Sequence, residues 1–301
     1  MRMRMNAGNM NRRDAIKMFL ASGCVAASGQ IAAREAPRRD GALVRFAVFN
    51  DIHERPELVE RIAEHINERL DFTALNGDMV EDVRDRESIV RCIVEPMQRL
   101  AKRFGAPCHF VRGNHEWRGE EKDRLGEFME FRKMVFYRAF TLNGVRFALL
   151  DTFEEAKGKY EPFVERQTAE NEWLKAEVSS SAWRNAVHRI VIMHISPPYE
   201  PYPGKPTLWN CTAPGLRDMD DILNRSRVSL ACGAHLHIRR IMDSREYRPY
   251  PIAVGGGPEW KSDVATCVSV YRDGIGIRQI DKKGEVVDSA FFGGRSWGEV
   301  G

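Results

Sequence analysis

Val44-Arg-Phe-Ala-Val-Phe-Asn50, running directly into Asp51-Ile52-His53, is the stretch from which the fold can be read. A short apolar run rich in Val and Phe reads as a buried strand, and polar residues gather where it ends. Pro56 then opens a segment whose apolar positions Leu58, Val59, Ile62, Ala63, Ile66 and Leu70 fit one helix face. The same order recurs downstream. Phe72-Thr-Ala-Leu75 ends at Asn76-Gly77-Asp78, and Ile89, Ile93, Met97, Leu100 and Phe104 follow at helical spacing, which Pro96 should disturb. Cys108-His-Phe-Val111 leads to Gly113-Asn114-His115-Glu116, and Arg146-Phe-Ala-Leu-Leu150 leads to Asp151-Thr152. Arg189-Ile-Val-Ile-Met193 meets His194, and Val228-Ser-Leu-Ala-Cys232 meets Gly233-Ala234-His235-Leu236-His237. Helical spacing over 167–178 and 216–223 fills two of the intervals, so strands alternate with helices as in α/β folds.

Two regions read differently. The stretch between Val111 and Arg146 is polar and aromatic without clear periodicity, and Ser196 to Pro206 is a Pro-rich loop. Beyond residue 250 the chain is β-rich: Ile252–Val254, Ala265–Tyr271, Gly276–Ile280 and Val286–Phe292 are parted by turns such as Asp273-Gly274 and Lys283-Gly284. These are expected to be antiparallel strands completing a second sheet.

Five of the strand ends together supply seven potential metal ligands, Asp51, His53, Asp78, Asn114, His194, His235 and His237. Carboxylate and amide oxygens suit Mn, Mg or ferric iron, while imidazole suits Fe, Zn, Mn or Ni, so a mixed shell of this kind fits a pair of ions. The order and spacing of the patches resemble the calcineurin-like metallophosphoesterase family, whose signature runs D-x-H, G-D, G-N-H-[DE], H and G-H-x-H. The resemblance covers roughly residues 43 to 240, and the complete series is far more specific than any one patch.

That resemblance implies a four-layered α/β/β/α sandwich of two mixed sheets flanked by helices. It implies two divalent or trivalent ions drawn from Mn, Fe, Zn and Mg. Asp51, His53 and His237 would hold the first, Asn114, His194 and His235 the second, and Asp78 would bridge both. His115 would remain to protonate or polarise the leaving oxygen, with Glu116 orienting it. The implied reaction is attack of a metal-bridging hydroxide on a phosphomonoester or phosphodiester. Ala234 departs from the family pattern by placing a methyl group in the turn before the ligands. Glu81 and His53 stand where the purple acid phosphatase branch has a ligand Tyr and lacks a His, which excludes a tyrosinate-ferric centre. Val111-Arg112-Gly-Asn-His-Glu116 echoes the Ser/Thr protein phosphatases, but their G-D-x-V-D-R-G pattern is missing and Arg112 is given no phosphate-binding role.

Charge narrows the partners. The formal net charge is +3, and Arg2, Arg4, Arg12, Arg13 and Lys17 against Asp14 put +4 of it before residue 34, leaving about −1 for the rest. A near-neutral body gives no strong nucleic-acid signal, and a phosphorylated small molecule is what the resemblance implies and what the Arg/Lys and aromatics of the expected pocket loops fit. The pocket is expected from Glu116 to Arg132 and from Pro197 to Leu216, with Trp117 and Trp209 close enough to line it. A nuclease or nucleotide phosphodiesterase on the same scaffold is one rival reading, and a non-catalytic metal- or ligand-binding protein is another. His115, which metal storage does not require, argues against the second.

Residues 1–33 read as a twin-arginine export signal: Asn11-Arg12-Arg13-Asp14 precedes a mildly apolar, small-residue stretch that is too short to span a bilayer. Ala15 stands where Phe is common. Leu20-Ala-Ser-Gly-Cys24 resembles a lipoprotein box, which makes Cys24 a candidate lipid anchor. Residues 34–42 read as a linker, 43–295 as the folded domain and 296–301 as a tail, and the expected location is periplasmic or envelope-associated. Five further cysteines lack CxxC spacing and read as small hydrophobes rather than a disulfide framework.

Overall fold

A computed structural model describes residues 41–117, 137–152, 161–197, 214–243, 248–257 and 263–293. The expected export signal, Cys24, most of the expected linker, the tail, Trp209 and most of the two expected pocket loops lie outside the described residues.

Strand β1 (Val44–Phe49) is buried on both faces apart from half-buried Arg45, which explains why Phe46 to Phe49 are apolar without alternation. Val44, Phe46 and Val48 face a core layer shared with Phe147, Leu149, Ile190 and Ile192, while Ala47 and Phe49 face helix α1 (Pro56–Ala63) through Val59 and Ile62. β1 lies parallel to β2 (Phe72–Asn76), and β2 parallel to β3 (Cys108–Val111). Three C-terminal strands, β10 (Val264–Tyr271), β11 (Gly274–Asp281) and β12 (Val286–Gly293), continue this sheet on the other side of β1 as an antiparallel meander, in the order β12-β11-β10-β1-β2-β3.

The second sheet has the order β4-β5-β6-β7-β9-β8, from β4 (Arg138–Leu142), β5 (Val145–Leu150), β6 (His188–Ile195), β7 (Leu230–Ala234), β8 (Arg240–Met242) and β9 (Ile252–Val254). Its core strands β5, β6, β7 and β9 are parallel, with antiparallel β4 and β8 at the two edges. Two mixed sheets therefore pack face to face. Stacked Phe46 and Phe72, with centroids 4.8 Å apart, meet Phe147 of the other sheet edge-on at 5.5 and 5.0 Å. Helices α2 (Arg86–Ile89) and α3 (Glu95–Phe104) join α1 over the first sheet, and Leu174, Trp183, Met219 and Leu223 from α4 (Glu161–Val178), α5 (Ser181–Arg184) and α6 (Pro214–Asn224) cover the second. This is the expected four-layered α/β/β/α sandwich. No helix among the described residues is long and apolar enough to cross a membrane.

Three expectations need correction. The C-terminal meander does not complete the second sheet: only Ile252–Val254 joins it, and β10–β12 extend the first. Alternation of side chains fixes which face of a strand is buried but not which open edge it joins. The unpatterned stretch before Arg146 contains β4, joined to β5 by Asn143-Gly144 with φ of 48° and 80°. Asn-Gly in that conformation is a two-residue hairpin turn whose twist matches the flanking strands. Pro96 does not break its helix. It sits in the first turn of α3, and the preceding turn, Val90–Val94, widens to a π-type turn in which the Glu95 N–H donates to the Val90 carbonyl. The widening makes room for a ring that would collide with the carbonyl four residues back.

Candidate metal centre

The parallel strands deliver their C-terminal ends to one edge, as open α/β sheets do around ligand sites. Asp51 follows β1, Asp78 follows β2, Asn114 follows β3, and His235 and His237 follow β7. His194 lies within β6 instead of beyond it, where the pairing with β7 slips between Ile192 and Ile195. Such a bulge re-aims a side chain out of the regular alternation.

Asp51, His53, Asp78, His235 and His237 all have positive φ, between 48° and 71°. Left-handed backbone costs a non-glycine residue about 1–2 kcal/mol, and Asp and His tolerate it better than branched residues. Strain concentrated on candidate ligands is typical of sites whose surroundings over-determine the geometry. Here the surroundings are interlocked loops. The N–H groups of Asp51, His53 and Glu54 donate to the carbonyls of Gly77, Asp78 and Met79 at 3.1, 2.9 and 2.9 Å. Gly77, with φ of 79°, packs so closely on Gly113 and His194 that a Cβ there would lie 2.6 Å from the Gly113 nitrogen.

The ligand atoms form three groups, each within 4.8 Å: Asp51, His53, Asp78 and His237; Asp78, His194 and His235; and His53, Glu81 and His115. Asp78 belongs to the first two. Its Oδ2 lies 3.2 Å from His194 Nε2 and 4.0 Å from His53 Nε2, and Oδ1 accepts the His115 N–H at 2.9 Å. His237 Nε2 stands 3.6 Å from Asp51 Oδ1 and 2.9 Å from His53 Nε2. Asn114 Oδ1 is 3.2 Å from His194 Nε2. The structure thus brings all seven candidates to one place. Ala234 is buried at the end of β7, so its methyl group is accommodated in the strand before the ligand turn.

Several partners escaped the sequence reading. Asn50 and Asn76 are buried, and Asn76 donates to Asn50 Oδ1 at 2.9 Å and to the Met193 carbonyl at 3.1 Å. The Asn76 carbonyl lies 2.9 Å from His194 Nδ1, where it takes that proton and turns Nε2 toward the ligand group. An Asn ending each of the first two strands was the available signal.

Glu116 behaves differently from expectation. Its two oxygens accept the N–H groups of Gly113 at 2.6 Å, Asp78 at 2.9 Å and Met79 at 2.7 Å, so it pins two ligand loops instead of orienting His115. His115 Nδ1 is instead against the carbonyl of Glu81. Arg112 is buried with its guanidinium on Asp151. Of the three other histidines, His65 is exposed, but His188 is buried with Nε2 2.8 Å from the Tyr271 carbonyl, and His109 is partly buried against Phe72 and Phe140. The cysteines of the described residues are free thiols whose pKa burial raises, which suits inert packing groups.

Burial and mutual proximity push the protonation of these donors in opposite directions. Burial raises the Asp51 carboxyl to about 8, against the pull of His194. Burial opposes charge on His194 as well, but Asp78 and Asp51 lift it to about 10. Burial also works to raise Asp78, yet His194, His115 and His235 outweigh it and hold this carboxyl far below the ordinary range. Buried carboxylates need a compensating positive charge, and the oxygen and imidazole set fits hard or borderline metal ions. Metal binding at Asp51 and His194 would displace their protons. At pH 7 it is therefore expected to release between about one and two protons, and affinity should climb as pH rises toward the values of these two groups. Calorimetric titration in buffers of different ionisation enthalpy measures this, and proton uptake or a flat pH profile would contradict it.

The family model for calcineurin-like phosphoesterases matches residues 44–239. The chain belongs to the calcineurin-like phosphoesterase family. The matched span runs from the first residue of β1 to just beyond His237 and so includes every candidate ligand. Solved structures of similar fold include a dimetal phosphatase from Danio rerio, at 13% identity and a TM-score of 0.58, covering 84% of this chain and 99% of that one. A purple acid phosphatase from yellow lupin (Lupinus luteus) gives 11% and 0.54, with 84% of this chain on 54% of the lupin chain, about half its length. A protein of Thermus thermophilus gives 12% and 0.50, covering 84% and 100%. At these identities the likeness is one of fold. No curated protein matches the sequence. Membership makes this chain a phosphoesterase of a metal-dependent family, and its Asp and His clusters suit that chemistry.

Proposed function

We infer that the chain hydrolyses a phosphomonoester or phosphodiester of a small molecule at a two-metal centre. The observation that carries this reading is the sharing of Asp78 between two ligand groups that otherwise have no residue in common. Asp51, His53 and His237 would hold the first ion with Asp78, and Asn114, His194 and His235 would hold the second. Such a pair supplies Lewis acidity toward phosphate oxygens and activation of water.

The rest is the work of side chains. Asp78 ties the two groups together and fixes the His115 backbone through its N–H. His115 Nε2 stands 3.8 Å from Asp78 Oδ2, on the inner side of the ring, where it can hand a proton to a departing alkoxide. Glu116 holds the Asp78 and Asn114 loops against each other, which keeps both ligand groups in register. The export signal read in residues 1–33 leads us to place the activity outside the cytoplasm.

The test is metal analysis of the purified protein, followed by assay on phosphomonoester and phosphodiester panels with Mn, Fe, Zn and Mg. Two equivalents of metal and metal-dependent release of alcohol are expected. Two bound ions without turnover on either panel would instead favour a binding protein, and a steep salt dependence of single-stranded DNA binding would favour the nuclease reading.

A further inference from the structure

Glu81 follows Asp78 by three residues, after Met79 and Val80, which are both fully buried and fix the path of the loop. Its side chain is 46% exposed, as an ordinary surface glutamate would be, yet both oxygens face histidines of the site. Oε1 lies 3.2 Å from His53 Nδ1, and Oε2 lies 3.7 Å from His115 Nδ1. The backbone carbonyl of the same residue meets His115 Nδ1 more closely. His53 turns its other nitrogen inward, with Nε2 2.9 Å from His237 Nε2. The planes of the two rings that face Glu81 stand at 88° to each other.

A neutral imidazole carries one N–H and one lone pair, and an acceptor at one nitrogen places the lone pair on the other. We propose that Glu81 is a positioning residue for the first metal: its carboxylate takes the Nδ1–H of His53 and aims the Nε2 lone pair at the ion. The inference rests on the two-metal reading above. The two atoms stand 3.2 Å apart, within hydrogen-bond reach though not aligned as one, and turning the half-exposed Glu81 side chain would align N–H with oxygen. The two histidines depend on Glu81 through different groups. His115 is held by the main-chain carbonyl, which every substitution retains, whereas His53 is held by the carboxylate, which substitution removes. Changing Glu81 should therefore loosen the metal and spare the proton donor.

His53, Glu81 and His115 also lie close enough to hold a third cation. That arrangement would require His53 to give both nitrogens to ions and lose its remaining proton, a demand the hydrogen bond does not make.

Metal-free wild type, Glu81→Ala and Glu81→Gln are titrated with cobalt(II), following the number of equivalents, their affinities and the visible absorption of each. Wild type should take two equivalents. In Glu81→Ala one equivalent should weaken by about 10- to 100-fold, the usual cost of losing a partner behind a ligand, with its absorption band altered and the other equivalent unmoved. Glu81→Gln, which keeps an oxygen acceptor, should recover most of the loss, and the thermal midpoint of the metal-free variants should match wild type. Equal affinities for both equivalents in wild type and Glu81→Ala would overturn the proposal. So would a third equivalent in wild type that Glu81→Ala abolishes, since Glu81 would then be a ligand itself. Fewer than two equivalents in wild type would remove the two-metal reading, and this inference with it.

Discussion

Asp78→Ala should purify without its pair of ions and with turnover at background. Among the described residues Asp78 alone belongs to both main ligand groups, so its loss weakens two sites at once and should cost more than the roughly 10- to 100-fold that follows loss of an outer partner. It also strips the His115 N–H of its acceptor, leaving a buried donor unsatisfied at about 1–3 kcal/mol. Asp78→Asn separates the two effects, because an amide oxygen still accepts that N–H but brings no negative charge to share between cations. Metal content after dialysis and circular dichroism of the apo chains are the measurements. Two ions retained in Asp78→Ala would show that the sharing inferred from the geometry is wrong.

His115→Ala should behave in the opposite way, keeping its metal and losing turnover by about 10²- to 10⁴-fold, the range of a lost general acid. His115 is outside both groups that contain Asp78, and its Nδ1 is already engaged by the Glu81 carbonyl. The deficit should grow with the pKa of the leaving alcohol, being smallest for a nitrophenolate that departs without help. Turnover equal to wild type on an alkyl ester would remove His115 from the mechanism. A loss of metal in parallel would make it a ligand.

The parts of the fold that were legible in the sequence are those where chemistry and pattern coincide. Strands β1, β2, β3, β6 and β7 each announce themselves as apolar runs ending in ligand-type residues. The α/β alternation and the grouping of seven ligands follow from them. The destination of β10–β12 was not legible, since a strand with Val268 and Val270 on its inner face could complete either sheet. The edge hairpin β4–β5 was hidden because Arg138–Leu142 is only half-buried and lacks a clean alternation, although Asn143-Gly144 marked its turn.

Within the site, the sequence could show which residues carry lone pairs but not what stands behind them. The contact of Glu81 with His53 spans 28 positions of chain, and Glu116 reaches back 38 residues to the Asp78 N–H. The second depends on how closely Gly77 and Gly113 let the loops after β2 and β3 approach. His194 was expected at a strand end and sits instead in a slipped register, a feature set by its neighbour β7 and invisible in β6 alone.

The three hydrogen bonds that lace the loop after β1 to the loop after β2 have a dynamic consequence. Neither loop can swing out without breaking all the bonds from Asp51, His53 and Glu54 to Gly77, Asp78 and Met79. The two segments therefore open as one cooperative unit, and the amide protons of these three residues should exchange with solvent at a common rate. Metal bound between the loops should slow all three together, so that one slow isotope-exchange phase reports on loading of the whole centre.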